Sequence, residues 1–301
     1  MANTIKNQEE ILAKLNIYEL NEMQNEAISV IDKTTNTVIL SPTGTGKTLA
    51  FLLPTLQLID PKNKDIQVLI LVPSRELAIQ IEQVIREMGT GFKVNAVYGG
   101  RSMAKDKIEL KHTPSILIGT PGRISDHFSN ERFTRERIKT LVLDEFDKSL
   151  EVGFEYEMRQ IIKQLPALSK RVLTSATQGV AIPDFVGLDT PRTINYLKGK
   201  KVSKLEIKTV ISPAKNKLNT LLHLLNHLGN QQGIIFCNLK DSINNVSTFL
   251  ENKNIRHGCF SGGMEQKDRE RSLIKFSNGT NQILIATDLA ARGIDVPEMN
   301  Y

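Results

Sequence analysis

Short apolar runs rich in β-branched residues recur along the chain, and longer stretches between them are apolar at helical spacing. Thr37–Leu40, Val68–Val72, Ser115–Ile118, Thr140–Leu143 and Arg171–Thr174 have strand length and few polar positions, the pattern of strands buried on both faces. Leu49-Ala50-Phe51-Leu52-Leu53, and Leu77, Ala78, Ile81, Val84, Ile85 and Met88, fall on helical faces. Such alternation predicts a parallel sheet covered by helices on both sides. A second series (Leu205–Ile211, Gly233–Cys237 and Gln282–Ala286) predicts another sheet of the same style. Between the two series, Lys198–Lys204 is polar, basic and aperiodic, as expected of an interdomain linker. The pattern divides the chain into a domain at 1–200, a linker at 201–204 and a domain at 205–301. It contains no repeat of solenoid period and no low-complexity tract.

A length of 301 residues exceeds one ordinary α/β domain and suits two. With 40% hydrophobic and 24% charged residues, the composition is that of a globular protein and excludes a disordered chain. The net charge of +6 fits an acidic polymer as partner, although a lysine-rich soluble protein carries the same charge. Cys237 and Cys259 have neither metal-site spacing nor partners for a disulfide framework, and are expected as small core residues in a reducing compartment. No apolar run reaches the length of a membrane span, and Met1–Lys6 lacks the apolar region of a signal peptide. A cytoplasmic monomer without a membrane role is expected.

Candidate chemistry begins where the first apolar run ends. Ser41-Pro42-Thr43-Gly44-Thr45-Gly46-Lys47-Thr48 lies between a predicted strand and a predicted helix. Free backbone N–H groups and the positive end of the helix dipole converge in such a loop and attract phosphate. Lys47 can reach β- and γ-phosphate oxygens, and the Thr48 hydroxyl can ligate Mg²⁺. The strict phosphate-loop pattern has Gly where this chain has Ser41; the strand–loop–helix context compensates. Further on, Leu141-Val142-Leu143 runs into Asp144-Glu145-Phe146-Asp147. Adjacent carboxylates at the C-terminal end of a buried strand lie where open α/β sheets bind ligands. Asp144 suits Mg²⁺, directly or through water, and Glu145 can position an attacking water.

Together with further segments, these motifs resemble the series found in DEAD-box RNA helicases of superfamily 2, from about Tyr18 to the end of the chain. The resemblance implies two RecA-like α/β domains, the second incomplete, with ATP and Mg²⁺ as cofactors and RNA as partner. Asp144–Asp147 matches the family's acidic tetrad with Phe146 in place of Ala. Gln24 matches the glutamine that recognises adenine, although Ile17-Tyr18-Glu19-Leu20-Asn21 departs from the usual Phe and Pro-Thr around it. Pro73-Ser74-Arg75-Glu76-Leu77-Ala78, Gly99-Gly100 and Thr120-Pro121-Gly122-Arg123 match loops that hold the backbone of one strand. By that match Pro73, Arg75, Gly100, Thr120, Pro121 and Arg123 would contact RNA phosphates without reading sequence. Ser175-Ala176-Thr177 resembles the motif that couples nucleotide state to strand separation.

In the second domain, Ile234-Ile235-Phe236 resembles the strand before a backbone-contacting loop, and Gln266-Lys267-Asp268-Arg269 resembles the helix motif that follows. Within Ala286–Asp295, Thr287 would touch nucleic acid while Gly293 and Asp295 would face the nucleotide. On the same resemblance Gln266 and Arg269 join the RNA-binding set. The chain stops at Tyr301, before the family's His-Arg-x-Gly-Arg-x-x-Arg segment, whose arginines stabilise the transferring phosphoryl group. The expectation is an ATP-dependent RNA helicase whose 301 residues bind ATP and RNA but hydrolyse poorly. An ATP-gated RNA clamp that does not unwind, and a helicase acting on DNA, stay open as alternatives.

Overall fold

The computed structural model describes residues 7–130, 133–178, 181–197, 206, 208–213 and 215–287. The chain divides into two compact units, residues 1–200 and 201–301. In the first, α1 (Gln8–Lys14) and α2 (Glu22–Lys33) precede a strand–helix alternation. It runs through β1 (Asn36–Leu40), α3 (Lys47–Gln57), β2 (Val68–Leu71), α4 (Arg75–Met88), β3 (Val94–Val97) and α5 (Met103–Leu110). It continues through β4 (Ile116–Gly119), α6 (Pro121–Ser129), β5 (Thr140–Leu143) and α7 (Phe146–Glu151). The unit ends with α8 (Glu155–Lys163), β6 (Lys170–Ser175) and β7 (Arg192–Asn195). Its seven strands are all parallel and lie in the order β3-β4-β2-β5-β6-β1-β7.

Strand residues alternate between two apolar layers, as the two-residue side-chain period demands. Ile39, Val68, Ile70, Ile118, Val142 and Val172 face the layer closed by α1–α4, with Ile31, Phe51 and Ile81 packed against them. Val38, Leu69, Leu71, Leu117, Leu141, Leu143 and Leu173 face the opposite layer, closed by α5–α8 through Ile124, Phe128, Met158 and Ile161. A strand with both faces covered has no place for polar residues, which is why these runs read as continuously apolar. Phe146 belongs to the second layer and is 2% exposed, so the bulkier residue inside the acidic tetrad is absorbed by the core.

The second unit contains α9 (Leu218–Leu228), β8 (Gly233–Phe236), α10 (Lys240–Asn252), β9 (His257–Phe260), α11 (Gln266–Ser277) and β10 (Ile283–Ala286). Its described strands form a smaller parallel sheet in the order β8-β10-β9. Ile283 and Ile285 pack with Leu225, Ile243 and Leu250 on one face, and Leu284 and Ala286 with Phe260 and Phe276 on the other. Cys237 is buried and Cys259 half-buried, both free thiols. Within the strand expected at Leu205–Ile211, the described residues Glu206 and Lys208–Ile211 have no strand structure. Glu206 and Lys208 pair with each other at 3.2 Å in solvent, and Ile211 is 86% exposed. β-branched composition stabilises a strand only where a neighbouring strand and a packed face receive it.

The burial of Phe146 makes a stability prediction. Phe146→Ala should cost the first unit about 3–5 kcal/mol, the usual range for truncating a core aromatic. Urea denaturation of wild type and variant measures it; a loss below ~1 kcal/mol would show that the surrounding layer closes over the gap.

Candidate active site

The phosphate loop follows β1 and opens α3. Gly44 and Gly46 take left-handed φ values of +79° and +83°, which glycine adopts without strain. A Cβ on Gly46 would also lie 2.3 Å from the Gln24 side-chain nitrogen. Ser41 is not among the residues with positive φ, so the first position of the pattern has no conformational need for glycine here. Its N–H donates to the Ser175 carbonyl at 3.1 Å, and its hydroxyl shares a 2.7 Å hydrogen bond with that of Thr45. The Thr45 hydroxyl also donates to the Pro42 carbonyl at 2.8 Å. Lys47 folds back over the loop, its ammonium donating to the carbonyls of Ser41 at 2.7 Å and Pro42 at 2.9 Å. Burial lowers the Lys47 pKa, while the nearby charges of Asp144, Glu145 and Asp147 pull it up.

The acidic pair follows β5 on the same sheet edge. Thr174, on the adjacent strand β6, donates its hydroxyl to Asp144 Oδ1 and accepts the Glu145 N–H at 3.1 Å. Burial pushes the Asp144 carboxyl up against the opposing effects of the Thr174 hydrogen bond and the Lys47 charge. Glu145 is also pushed up, first by burial and then by the Asp144 charge. Its backbone sits at φ +47°, a conformation that costs a non-glycine residue energy and is found at functional sites. The Thr177 hydroxyl donates to Asp147 Oδ2 at 3.0 Å, while the buried Oδ1 has no hydrogen-bond partner. Ser175 and Thr177 close a tight turn, with the Thr177 N–H on the Ser175 hydroxyl at 3.0 Å.

The protein oxygens at this edge, Asp144 and Thr48, form a hard donor set suited to Mg²⁺. Among the described residues no cluster of three His, Cys, Asp or Glu side chains could hold a metal. A cation here would therefore rely on phosphate oxygens and water for most of its ligands, the usual arrangement for Mg²⁺.

Gln24 belongs to a capping box at the start of α2. The Asn21 side chain accepts the Gln24 N–H at 2.9 Å, and Gln24 Oε1 accepts the Asn21 N–H at 3.0 Å. From there Gln24 Nε2 donates to the Gly46 carbonyl at 3.2 Å, and Asn21 Nδ2 to the Thr45 carbonyl at 3.0 Å. Gln24, the residue matched to adenine recognition, is thus bonded to the phosphate loop itself. Asn21 and Thr174 carry no motif of their own. Their only signals in sequence are an N-cap residue three positions before Gln24 and a hydroxyl ending an apolar run.

Strands β2, β3 and β4 place the other candidate residues on the remaining half of the edge. Pro73 follows β2, and Ser74 caps α4 by accepting the Leu77 N–H at 3.2 Å. The Arg75 guanidinium lies over the turn after β3, where a Cβ on Gly100 would be 2.4 Å from it; Gly100 is also at φ +83°. Thr120 is the N-cap of α6 and Pro121 its first residue. Arg123 points inward: its Nε donates to Asp106 at 2.8 Å and its Nη2 to the Arg101 carbonyl at 2.8 Å. In the second unit Gln266 opens α11, Arg269 stacks over Phe260 at 4.6 Å, and the Thr287 N–H donates to the Phe260 carbonyl at 3.4 Å. Gly293 and Asp295 lie outside the described residues.

A phosphate loop after β1, an acidic pair after β5 and a hydroxyl turn after β6, all on one edge of a parallel sheet, define a phosphate-loop nucleotide-binding unit of the RecA-like type. Known proteins narrow this class. The model of the DEAD/DEAH box helicase family matches residues 21–184, and that of the helicase conserved C-terminal domain matches residues 216–301. The ATP-dependent RNA helicase FAL1 of Meyerozyma guilliermondii is 35% identical over 284 residues, covering 92% of this chain and 72% of that protein. The DEAD-box ATP-dependent RNA helicase CshB of Bacillus subtilis is 31% identical over 297 residues, 96% of this chain and 68% of its own. Dbp5 of S. cerevisiae, solved bound to RNA and ADP BeF3, superposes with a TM-score of 0.80 at 25% identity, over 97% of this chain and 76% of that one. The chain belongs to the DEAD-box RNA helicases of superfamily 2.

Burial of Asp144 gives a second prediction. A carboxyl raised by folding contributes stability below its ordinary value of 3.8, and that contribution is lost as pH climbs through the folded value. Asp144→Asn should therefore raise the ligand-free melting temperature at neutral pH by about 2–4 °C, equivalent to ~1 kcal/mol. The gain should shrink as pH is lowered toward the ordinary carboxyl value of 3.8. Calorimetry at the two pH values measures it, and an unchanged midpoint at neutral pH would count against the assignment.

Proposed function

We propose that this chain binds ATP·Mg²⁺ and RNA and acts as an ATP-dependent RNA helicase that separates short duplexes by gripping one strand. The observation that carries the reading is the division of the sheet edge. Nucleotide motifs sit on β5, β6 and β1, and backbone-contacting motifs on β2, β3 and β4. Lys47 and the N–H groups of Thr43–Thr48, within the Ser41–Thr48 loop, hold the phosphates, with Gln24 on the base. Thr48 and Asp144 are the protein ligands for Mg²⁺, which supplies charge neutralisation between phosphate oxygens. Glu145 orients the attacking water and accepts its proton, a role that its raised pKa suits. Ser175 and Thr177, bonded to the phosphate loop and to Asp147 respectively, respond to what those groups hold. Arg75, the Gly99–Gly100 turn, Thr120 and Pro121 meet RNA phosphates. In the second unit Gln266, Arg269 and Thr287 are the residues matched to RNA contact, and Gly293 and Asp295 those matched to nucleotide contact.

These 301 residues contain no His-Arg-x-Gly-Arg-x-x-Arg segment. Arginines acting on the γ-phosphoryl group are worth about 10³–10⁵ in rate, so hydrolysis by this polypeptide should be slow even where binding is intact. The test pairs fluorescent-nucleotide and RNA binding with steady-state turnover. Both ligands should bind, Lys47→Ala should abolish nucleotide binding while sparing RNA, and RNA should stimulate turnover little. Robust RNA-stimulated hydrolysis by the same 301 residues would refute the weak-turnover part. Competition between RNA and DNA strands of one sequence decides the substrate, because the 2′-hydroxyl is their physical difference. Equal competition by DNA would make the protein a general single-strand helicase.

A further inference from the structure

Beside the nucleic-acid half of the edge lies a buried ionic cluster that no motif identifies. Asp106, on α5, has no exposed surface, and two guanidinium groups and an imidazole from two other segments converge on its carboxylate. Oδ2 accepts from Arg123 Nε at 2.8 Å and from His127 Nε2 at 2.9 Å, and Oδ1 faces Arg101 Nε at 3.4 Å. Arg123 and His127 stand one turn apart on α6, whereas Arg101 ends the Gly99–Gly100 turn after β3. Arg101 is anchored further by the Ala96 carbonyl at 2.9 Å and by Glu109. A buried carboxylate is tolerated only when paired, and here the pairing gathers two candidate phosphate-contacting loops around one anion.

We propose that Asp106 is a positioning residue for RNA binding, and that Arg123 acts through it rather than as a phosphate ligand. The inference rests on the RNA-helicase reading and changes the role expected for Arg123. The Arg123 side chain is 8% exposed, and two of its donors are already aimed inward at Asp106 and the Arg101 carbonyl. What α6 offers outward is backbone. No side chain caps its N-terminus, Pro121 has no N–H, and a Cβ on Gly122 would meet nothing within 4 Å. As the second and third residues of α6, Gly122 and Arg123 have N–H groups without a partner inside the helix, and the Asp106 cluster fixes that turn relative to the Gly99–Gly100 turn. Without the carboxylate, Arg123 loses its ion-pair partner, Arg101 keeps only Glu109, and the two loops lose their common anchor.

The test measures RNA affinity, its salt dependence and nucleotide affinity on the full chain for wild type, Asp106→Asn, Arg123→Gln and Arg123→Lys. A cation that touches a single strand's phosphate contributes ~0.7 to the slope of log affinity against log salt. We expect all three variants to lose about tenfold or more in RNA affinity, ~1.4 kcal/mol, with the slope unchanged and nucleotide affinity retained. Arg123→Lys should fail to rescue, because an ammonium cannot bond Asp106 and the Arg101 carbonyl in the fork geometry of a guanidinium. Wild-type RNA affinity in Arg123→Lys, or a slope reduced by ~0.7 in Arg123→Gln, would overturn the proposal in favour of direct phosphate contact. Unchanged RNA affinity in a nucleotide-competent Asp106→Asn would overturn it as well. If Asp106→Asn loses nucleotide binding through misfolding, the two Arg123 variants decide alone. Failure of wild type to bind RNA would instead defeat the helicase reading on which the proposal stands.

Discussion

The constraint on which the first unit depends is that all its strands run parallel. Every strand then ends on the same edge, and every helix returning from that edge begins there with unsatisfied N–H groups. Parallel pairing also demands cover on both faces, which drives the strands toward continuous apolar sequence and expels chemistry to the loops. The phosphate loop, the acidic pair, the hydroxyl turn and the Gly99–Gly100 and Thr120–Arg123 turns are therefore neighbours because of connectivity. Their division follows strand order: β5, β6 and β1 adjoin on one side, and β3, β4 and β2 on the other.

On the nucleotide side the ligand-free groups are held in costly states. Lys47 spends its ammonium on loop carbonyls, Asp144 and Glu145 are disfavoured as anions by burial, and Glu145 occupies a left-handed backbone conformation. In the proposed reading these costs share one remedy, because a cation with phosphate oxygens would give Lys47 an anionic partner and would add to the hydroxyl, ammonium and backbone N–H that now compensate Asp144. Binding energy would thereby be directed to Lys47, Asp144 and Glu145.

How much of this was legible in sequence follows from the same physics. Runs such as Val68–Val72 and Thr140–Leu143 announced themselves because two-sided burial leaves no polar position. Strands β3 (VNAV), β7 (RTIN) and β9 (HGCF) did not, since each lies at a sheet edge and carries polar residues or glycine. The Leu205–Ile211 run misled because a β-branched composition reports the ability to form a strand and not the presence of a neighbour. Motif residues were readable where local geometry imposes residue type, as at Gly46 and Gly100, each both left-handed and crowded. Long-range partners were not. Nothing adjacent in sequence links Asp106 to Arg123, or Thr174 to Asp144; only the fold brings them within hydrogen-bond reach.

The two halves of the edge meet at the pairing of β2 with β5. The Asp144 N–H bonds the Leu71 carbonyl at 3.0 Å, and Leu71 is two residues from Pro73, where the half proposed for nucleic acid begins. A second link joins the phosphate loop to the hydroxyl turn through Ser41 and Ser175, and a third joins that turn to the acidic tetrad through Thr177 and Asp147. Spatial continuity alone does not establish coupling, which needs an element with two arrangements that both ligands bias. The Ser175–Thr177 turn ends β6 with hydroxyl hydrogen bonds, and it joins the phosphate loop, through the Ser175 carbonyl, to Asp147. Apolar packing on β5 and β6 leaves those strands no comparable freedom, so a response to nucleotide would concentrate in the turn.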